Sequence, residues 1–217
     1  MPCRVLLAGA TGLVGRELLR ALCQRGDTVH ALVRRAGAAP PTAGAHELVV
    51  DYARLPALPA ADAAVCALGT TIKVAGSQAA FRAVDFDAVL AFARAAKAAG
   101  ATRLGVVSAL GADAASSNFY SRVKGEAEAA LGALGFASLV IARPSLLAGD
   151  RGALGQPERL GERVGLAVSS LLGPLVPAAW RPIQAAAVAR GLLRALDDAR
   201  PGVRIVASAE LQKLGAL

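Results

Sequence analysis

The fold is decided between Arg4 and Leu22, "RVLLAGATGLVGRELLRAL". Arg4 leads into an apolar run of strand length that ends at Ala8, and Gly9, Gly12 and Gly15 follow in the spacing G-x-x-G-x-x-G. Val14, Leu18 and Leu22 then recur with helical period. Strand, glycine turn and helix in that order aim backbone amides and a positive helix end at a pyrophosphate, and glycine lets the phosphates come close to the backbone. The alternative is an ordinary glycine-rich turn, and the strand–turn–helix context weighs against it.

The same rhythm continues outward. Strands are expected at "TVHALV" (28–33), "HELVVD" (46–51), "AAVCAL" (63–68), "RLGVVS" (103–108) and "ASLVIAR" (137–143). Long helices are expected over residues 78–99 and 119–134, and the loop "RRAGAAPPTAGA" (34–45) replaces a helix. Strands that are apolar on both faces and separated by helices predict a doubly wound, Rossmann-like parallel α/β sheet. After Gly149 the rhythm changes. Helical segments near 157–172 and 183–196, a strand "VRIVA" (203–207) and a short tail suggest that residues 150–217 form a small substrate-side lobe on a single domain.

Composition excludes several classes. A hydrophobic content of 55% with 18% charged residues is incompatible with disorder. The net charge of +8 invites nucleic acid, but 20 of the 24 basic residues are arginines scattered singly, with Arg34–Arg35 the one adjacent pair, and aromatics are 4%. No nucleic-acid partner is expected. Cys3, Cys23 and Cys66 show no ligand spacing, and two histidines, His30 and His46, give a metal site almost no material. The cysteines read as apolar core of a reducing compartment, so a cytoplasmic protein without metal is expected. The apolar run "VGLAVSSLLGPLVPAAW" (164–180) is short for a membrane span, contains Pro174 and Pro177 and is flanked by arginines, which favours a buried helix and loop.

Several residues fall where a dinucleotide would lie. A unit that selects NAD usually ends its second strand with a carboxylate for the ribose hydroxyls, whereas a 2′-phosphate calls for arginine. Arg34 and Arg35 stand there, so NADP(H) is favoured over NAD(H). Asp51, at the end of the third strand, can accept from an adenine amino group. Leu68, Gly69 and Thr70 border the cofactor's far side.

Tyr120 and Lys124, in "NFYSRVKGEAE" (118–128), share one helix face. Spacing alone leaves two possibilities, a packing pair or an acid–base pair in which the ammonium favours the phenolate. Ser108 ends the fifth strand, on the edge that also carries the glycine turn. Ser108 orienting a carbonyl, Tyr120 as proton donor and Lys124 holding the ribose would make a general acid for hydride transfer.

A serine followed by Tyr-x-x-x-Lys behind a glycine-rich first turn resembles the short-chain dehydrogenase/reductase superfamily. The run "LGTTIKVAGSQAAFRAVDFDAVLAFARAAKAAGATRLGVVSALGADAASSNFYSRVKGEAEAAL", with "ARPSLLAGDR" and "RPIQAAAVARGLLRAL", is similar to its atypical branch around the Tat-interacting protein and small bacterial relatives. The resemblance implies phosphate contacts at Gly9, Thr11, Gly12, Leu13, Val14 and Gly15, and a nicotinamide bordered by Pro144 and Leu146. The superfamily's Asn-rich motif after the fourth strand is replaced by "ALGTT", so any proton relay must differ or use water. The leading expectation is an NADP-dependent reductase of a small carbonyl substrate. Its rival is an NADPH-binding regulator with little turnover. A nucleotide-sugar epimerase would need a larger C-terminal domain than the roughly 70 residues after Gly149 provide. A homodimer through the long helices is compatible with the pattern.

Overall fold

The computed structural model describes residues 2–148 and 180–216. The sheet orders its strands β3-β2-β1-β4-β5-β6-β9, from β1 (Arg4–Ala8), β2 (Thr28–Val33), β3 (Ala45–Val49), β4 (Ala63–Cys66), β5 (Arg103–Val107), β6 (Ser138–Arg143) and β9 (Gly202–Ala207). Every neighbouring pair is parallel. The expected Rossmann-like sheet is therefore the fold. The strand order reverses between β1 and β4, and in such sheets ligands bind outside the carboxyl ends of the strands at that reversal.

Both faces are covered, as the doubly apolar strands require. One face packs Leu7, Val29, Val65 and Val140 against Leu18 and Leu22 of α1 (Leu13–Gln24) and Val188 and Leu192 of α6 (Ala185–Asp197). The other packs Leu6, Leu104 and Ile141 against Phe92 and Ala96 of α4 (Val89–Ala98) and Leu131 of α5 (Phe119–Gly132). Each fully buried leucine contributes about 1.5–3 kcal/mol.

The helix expected over 78–99 is continuous but not uniform. It starts as α3 (Gln78–Arg82), capped by the Ser77 hydroxyl, widens into a π-helical segment (Ala83–Ala88) and resumes as α4. A short helix α2 (Ile72–Ala75) precedes it. The expected C-terminal tail is helix α7 (Ser208–Ala216), and β7 (Leu147–Ala148) pairs with β8 (Ile183–Gln184) in a small second sheet. The helix expected near 157–172 lies outside the described residues, as does all of the apolar run 164–180 except Trp180, which is exposed. No described helix is long and apolar enough to cross a membrane.

Two of the first turn's three glycines are fixed by backbone contact. Gly9 takes φ +86°, and a Cβ there would lie 2.5 Å from the Ala67 carbonyl group. A Cβ on Gly15 would lie 1.9 Å from the Gly9 oxygen, so α1 can seat on the turn only without a side chain. Gly15→Ala is therefore expected to cost about 1–3 kcal/mol or more through overpacking. A thermal melt should show a Tm lowered by several degrees, and an unchanged Tm would mean that the turn relaxes freely.

Candidate cofactor and catalytic site

Parallel pairing brings the carboxyl ends of β1, β2, β4, β5 and β6 to one edge, and the glycine turn opens between β1 and β4. Gly12 is the N-cap of α1, extended at φ −83° and ψ 170°, with no side-chain cap over the first turn's amides. Those N–H groups have no intrahelical partner and point out of the helix end. A Cβ on Gly12 would meet only the Gly9 oxygen, at 3.6 Å. The protein itself therefore does not require glycine at this position, whereas a phosphate laid across the helix end would. Thr11, Leu13 and Val14 flank that end. The residues present thus fit a pyrophosphate.

Arg34 and Arg35 leave the end of β2 exposed to solvent. The nearby acid is Glu47 of β3, which accepts from the Gly37 and Ala39 amides at 2.6 and 2.7 Å and so orders the loop after the arginines. Asp51 is exposed and accepts from the Ala53 amide at 2.9 Å, capping its own turn. Next to it, Tyr52 is half-buried with its hydroxyl donating to the Leu32 carbonyl at 3.3 Å. Burial pushes the Tyr52 phenol well above its ordinary range, with the Cys66 thiol adding to the rise and Arg34 opposing it.

The catalytic candidates lie on α5 and the strands beneath it. The Asn118 side chain accepts from the Ser121 amide at 3.1 Å and starts α5 at Phe119, which sets Tyr120 in the first turn. The buried Phe81 ring lies 5.3 Å from the Tyr120 ring and supports it. One turn on, Lys124 Nζ reaches into the interior and lies 2.7 Å from Asp85 Oδ1, with the two side chains 8% and 0% exposed. Asp85 comes from the π-helical segment, and its other oxygen accepts from the Thr70 amide at 2.8 Å. Gly69 sits over the pair: its Cβ would lie 3.4 Å from Asp85 Oδ1 and 3.7 Å from Lys124 Nζ. π-Turns of this kind recur at functional sites. Burial pushes the Lys124 ammonium down, but the Asp85 charge and then Tyr120 outweigh it, leaving its pKa above the ordinary value.

Ser108 follows β5 and is also buried, donating to Glu128 Oε1 at 2.5 Å. The Glu128 carboxylate is gripped by Arg143 of β6 through Nε at 3.1 Å and Nη2 at 2.5 Å. The single Ser108 proton therefore points at Glu128. Pro144 and Leu146 continue from β6 at the same edge. The Pro144 carbonyl accepts from Leu110 and that of Leu146 from Ile183, each at 2.9 Å.

The structure therefore brings Ser108, Tyr120, Lys124, Gly69, Thr70 and the glycine turn to one edge, and adds Asp85, Glu128 and Arg143. Both added carboxylates had a signal in the sequence. Asp85 lies four residues from Phe81 and four from Val89, on the apolar face of a helix. Glu128 lies four residues beyond Lys124, in the stripe that begins at Tyr120. Among the described residues, no cluster of acidic, histidine or cysteine side chains could hold a metal.

Comparison with known proteins defines the class. A model for NAD(P)H-binding domains matches residues 9–169, so the chain belongs to that family. The rat protein HTATIP2 is 36% identical over 168 residues, covering 73% of this chain and 66% of that protein. FMP52 of Meyerozyma guilliermondii is 32% identical over 222 residues, covering 97% of this chain and 94% of that one. Among solved structures, MoeE5 with UDP-glucose and NAD superposes at a TM-score of 0.70 with 18% identity, covering 98% of this chain and 81% of MoeE5. Human SDR39U1 with NADPH superposes at 0.65 with 22% identity, covering 98% of this chain and 79% of that one. The resemblance to the atypical short-chain reductases thus holds at the level of family and fold. The expected cytoplasmic location does not stand, because the Fmp52 relatives from several fungi are named as mitochondrial proteins.

Asp85→Ala leaves the Lys124 charge buried without a partner, which is expected to cost about 3–5 kcal/mol in a urea titration. The Lys124 pKa is raised in the folded state, so its contribution is complete at neutral pH and is lost as pH rises past about 10.4. Gly12→Ala should leave Tm nearly unchanged while weakening dinucleotide binding at least tenfold by calorimetry. A large loss of Tm would show that Gly12 serves the fold instead.

Proposed function

We propose that this protein is an NADP-dependent oxidoreductase that reduces a small carbonyl substrate, with Tyr120 as general acid. The observation that carries the proposal is the buried Lys124 ammonium, set beside Tyr120, held by Asp85 and covered by Gly69 at the mouth of the β1–β4 crevice. A charge so deep in the protein costs several kcal/mol to desolvate, and a packing lysine would leave its ammonium in water.

In this proposal Gly9, Thr11, Gly12, Leu13, Val14 and Gly15 seat the pyrophosphate. Arg34 and Arg35 meet the 2′-phosphate, Asp51 lies toward the adenine, and Leu68, Gly69 and Thr70 line the far side. Pro144 and Leu146 border the nicotinamide, with β8 beside them on the substrate side. MoeE5 was solved with NAD and SDR39U1 with NADPH, so the preference rests on the arginine pair. Bound NADPH supplies the hydride. The Tyr120 hydroxyl gives its proton to the carbonyl oxygen as charge develops there, and Lys124 stabilises the tyrosinate left behind. Ser108 orients the carbonyl when its hydroxyl turns from Glu128.

One observation favours a second reading, an NADPH-binding regulator with little turnover. The Ser108 proton is held by Glu128, which removes one donor from the carbonyl site.

Calorimetry with NADPH and NADH side by side is expected to show much tighter NADPH binding, and Arg34→Ala/Arg35→Ala should erase the difference. In a screen of small aldehydes and ketones, Tyr120→Phe should lower turnover at least 100-fold and leave NADPH affinity nearly intact. NADPH binding without turnover by the unaltered protein would favour the regulator. Binding of neither nucleotide would return Tyr120 and Lys124 to packing roles.

A further inference from the structure

Basic side chains are favourable at the carboxyl end of a helix and unfavourable at the amino end, where the peptide dipoles already concentrate positive charge. Helix α1 reverses this arrangement. Its first turn carries no acidic residue and its last turn no basic one. Arg16 instead closes the first turn, its amide donating to the Gly12 carbonyl at 2.9 Å. Its side chain follows the lean of helical side chains toward the amino end. Arg16 Nε donates to the Thr11 carbonyl at 3.3 Å, one residue before the N-cap. The helix end and a guanidinium thus bring positive charge together at the glycine turn.

Among the described residues, no carboxylate answers the Arg16 charge. The neighbouring acid, Glu17, is taken by Arg20 at 2.7 Å. Elsewhere, arginines tied into the fold meet acids, as Arg25 meets Asp27 and Asp197, and Arg204 meets Asp198 and Glu210. Arg16 is half-buried, and its bond to Thr11 uses Nε alone. That leaves Nη1 and Nη2 as a fork of donors for bidentate contact with an anion.

We propose that Arg16 is a phosphate-binding residue, which binds the pyrophosphate of the dinucleotide together with the first-turn amides of α1. This rests on the reading of this edge as a dinucleotide site, in a chain of the NAD(P)H-binding family. Without an anion, Arg16 opposes the helix dipole. With a phosphate between them, guanidinium and dipole act in the same direction. The pyrophosphate is common to NADPH and NADH, so Arg16 raises the affinity for both and does not select between them. Selection stays with Arg34 and Arg35 at the end of β2. The arginines therefore divide the cofactor, Arg16 serving the part that the two nucleotides share and the adjacent pair serving the 2′-phosphate.

The test is calorimetry of the full chain with NADPH and with NADH, for the unaltered protein and for Arg16→Gln, which removes the charge and keeps a polar side chain. Affinity for both nucleotides should fall by the same factor, about 10- to 100-fold for a lost charge-assisted contact. The difference from the unaltered protein should narrow as salt is raised to about 1 M, where the Debye length is about 3 Å. The Tm of the nucleotide-free variant should be unchanged or up to about 4 °C higher, because a cation has left the positive helix end. A lower Tm would make Arg16 a structural residue and overturn the proposal. Arg16→Lys restores the charge and should recover part of the lost affinity. Affinity no better than that of the glutamine variant would count against a phosphate contact and overturn it too. A fall for NADPH alone would move Arg16 to the 2′-phosphate and overturn the pyrophosphate assignment. Unchanged affinity for both would make Arg16 a surface arginine, with the dinucleotide site and the reductase reading left standing. Binding of neither nucleotide by the unaltered protein would overturn the dinucleotide reading, and the role of Arg16 with it.

Discussion

The contact on which the other features depend is backbone against backbone: Gly9, at φ +86°, lies against the Ala67–Leu68 peptide, with Gly15 pressed onto the Gly9 carbonyl. No side chain larger than hydrogen fits at either point. Through it the end of β1, the start of α1 and the end of β4 are locked at the place where the strand order reverses. The crevice there is therefore a rigid consequence of the fold. Gly12, between them, has no such contact, which separates the structural glycines from the one that leaves room for a ligand.

The second constraint is electrostatic. Tyr120, Lys124 and Glu128 form a stripe at four-residue intervals along α5, and two charges of that stripe are buried. Each is answered from another element, Lys124 by Asp85 in the π-helical segment and Glu128 by Arg143 on β6. Asp85, within the π-helical segment, reaches both Lys124 and the Thr70 amide, so the loop after β4 is tied to α5 through one carboxylate. The "ALGTT" segment needs no asparagine side chain for this. Its backbone supplies the hydrogen bond, and the charge comes from fifteen residues downstream.

Much of this was legible in the sequence, because periodicity and glycine placement follow from backbone geometry. β1, β2 and the first residue of α5 fall where the pattern puts them. The ends of β3 and β4 come two residues early, although the Val50 and Ala67 amides still donate to Val33 and Ala8 of the neighbouring strands. The π-helical segment was not legible, since a one-residue widening preserves an apolar face and is set by tertiary contact. Asp85 and Glu128 lay on visible stripes, but their partners are distant in sequence: Arg143 is fifteen residues from Glu128, and Lys124 is on a different helix from Asp85. Sequence spacing reports which side chains share a face, not which charge meets them across the core.

Buried ion pairs seldom stabilise a fold more than apolar side chains of the same volume would. In this protein the sheet is otherwise packed with valine, leucine, isoleucine and alanine, and the core has ample material of that kind. Stability alone would therefore favour an apolar cluster where Asp85, Lys124, Ser108 and Glu128 stand. These groups are concentrated around one small cavity beside α5, whose first turn carries Tyr120, in a chain of a family that binds NAD(P)H. Their desolvation is a standing cost, which the reductase chemistry proposed for that edge would account for.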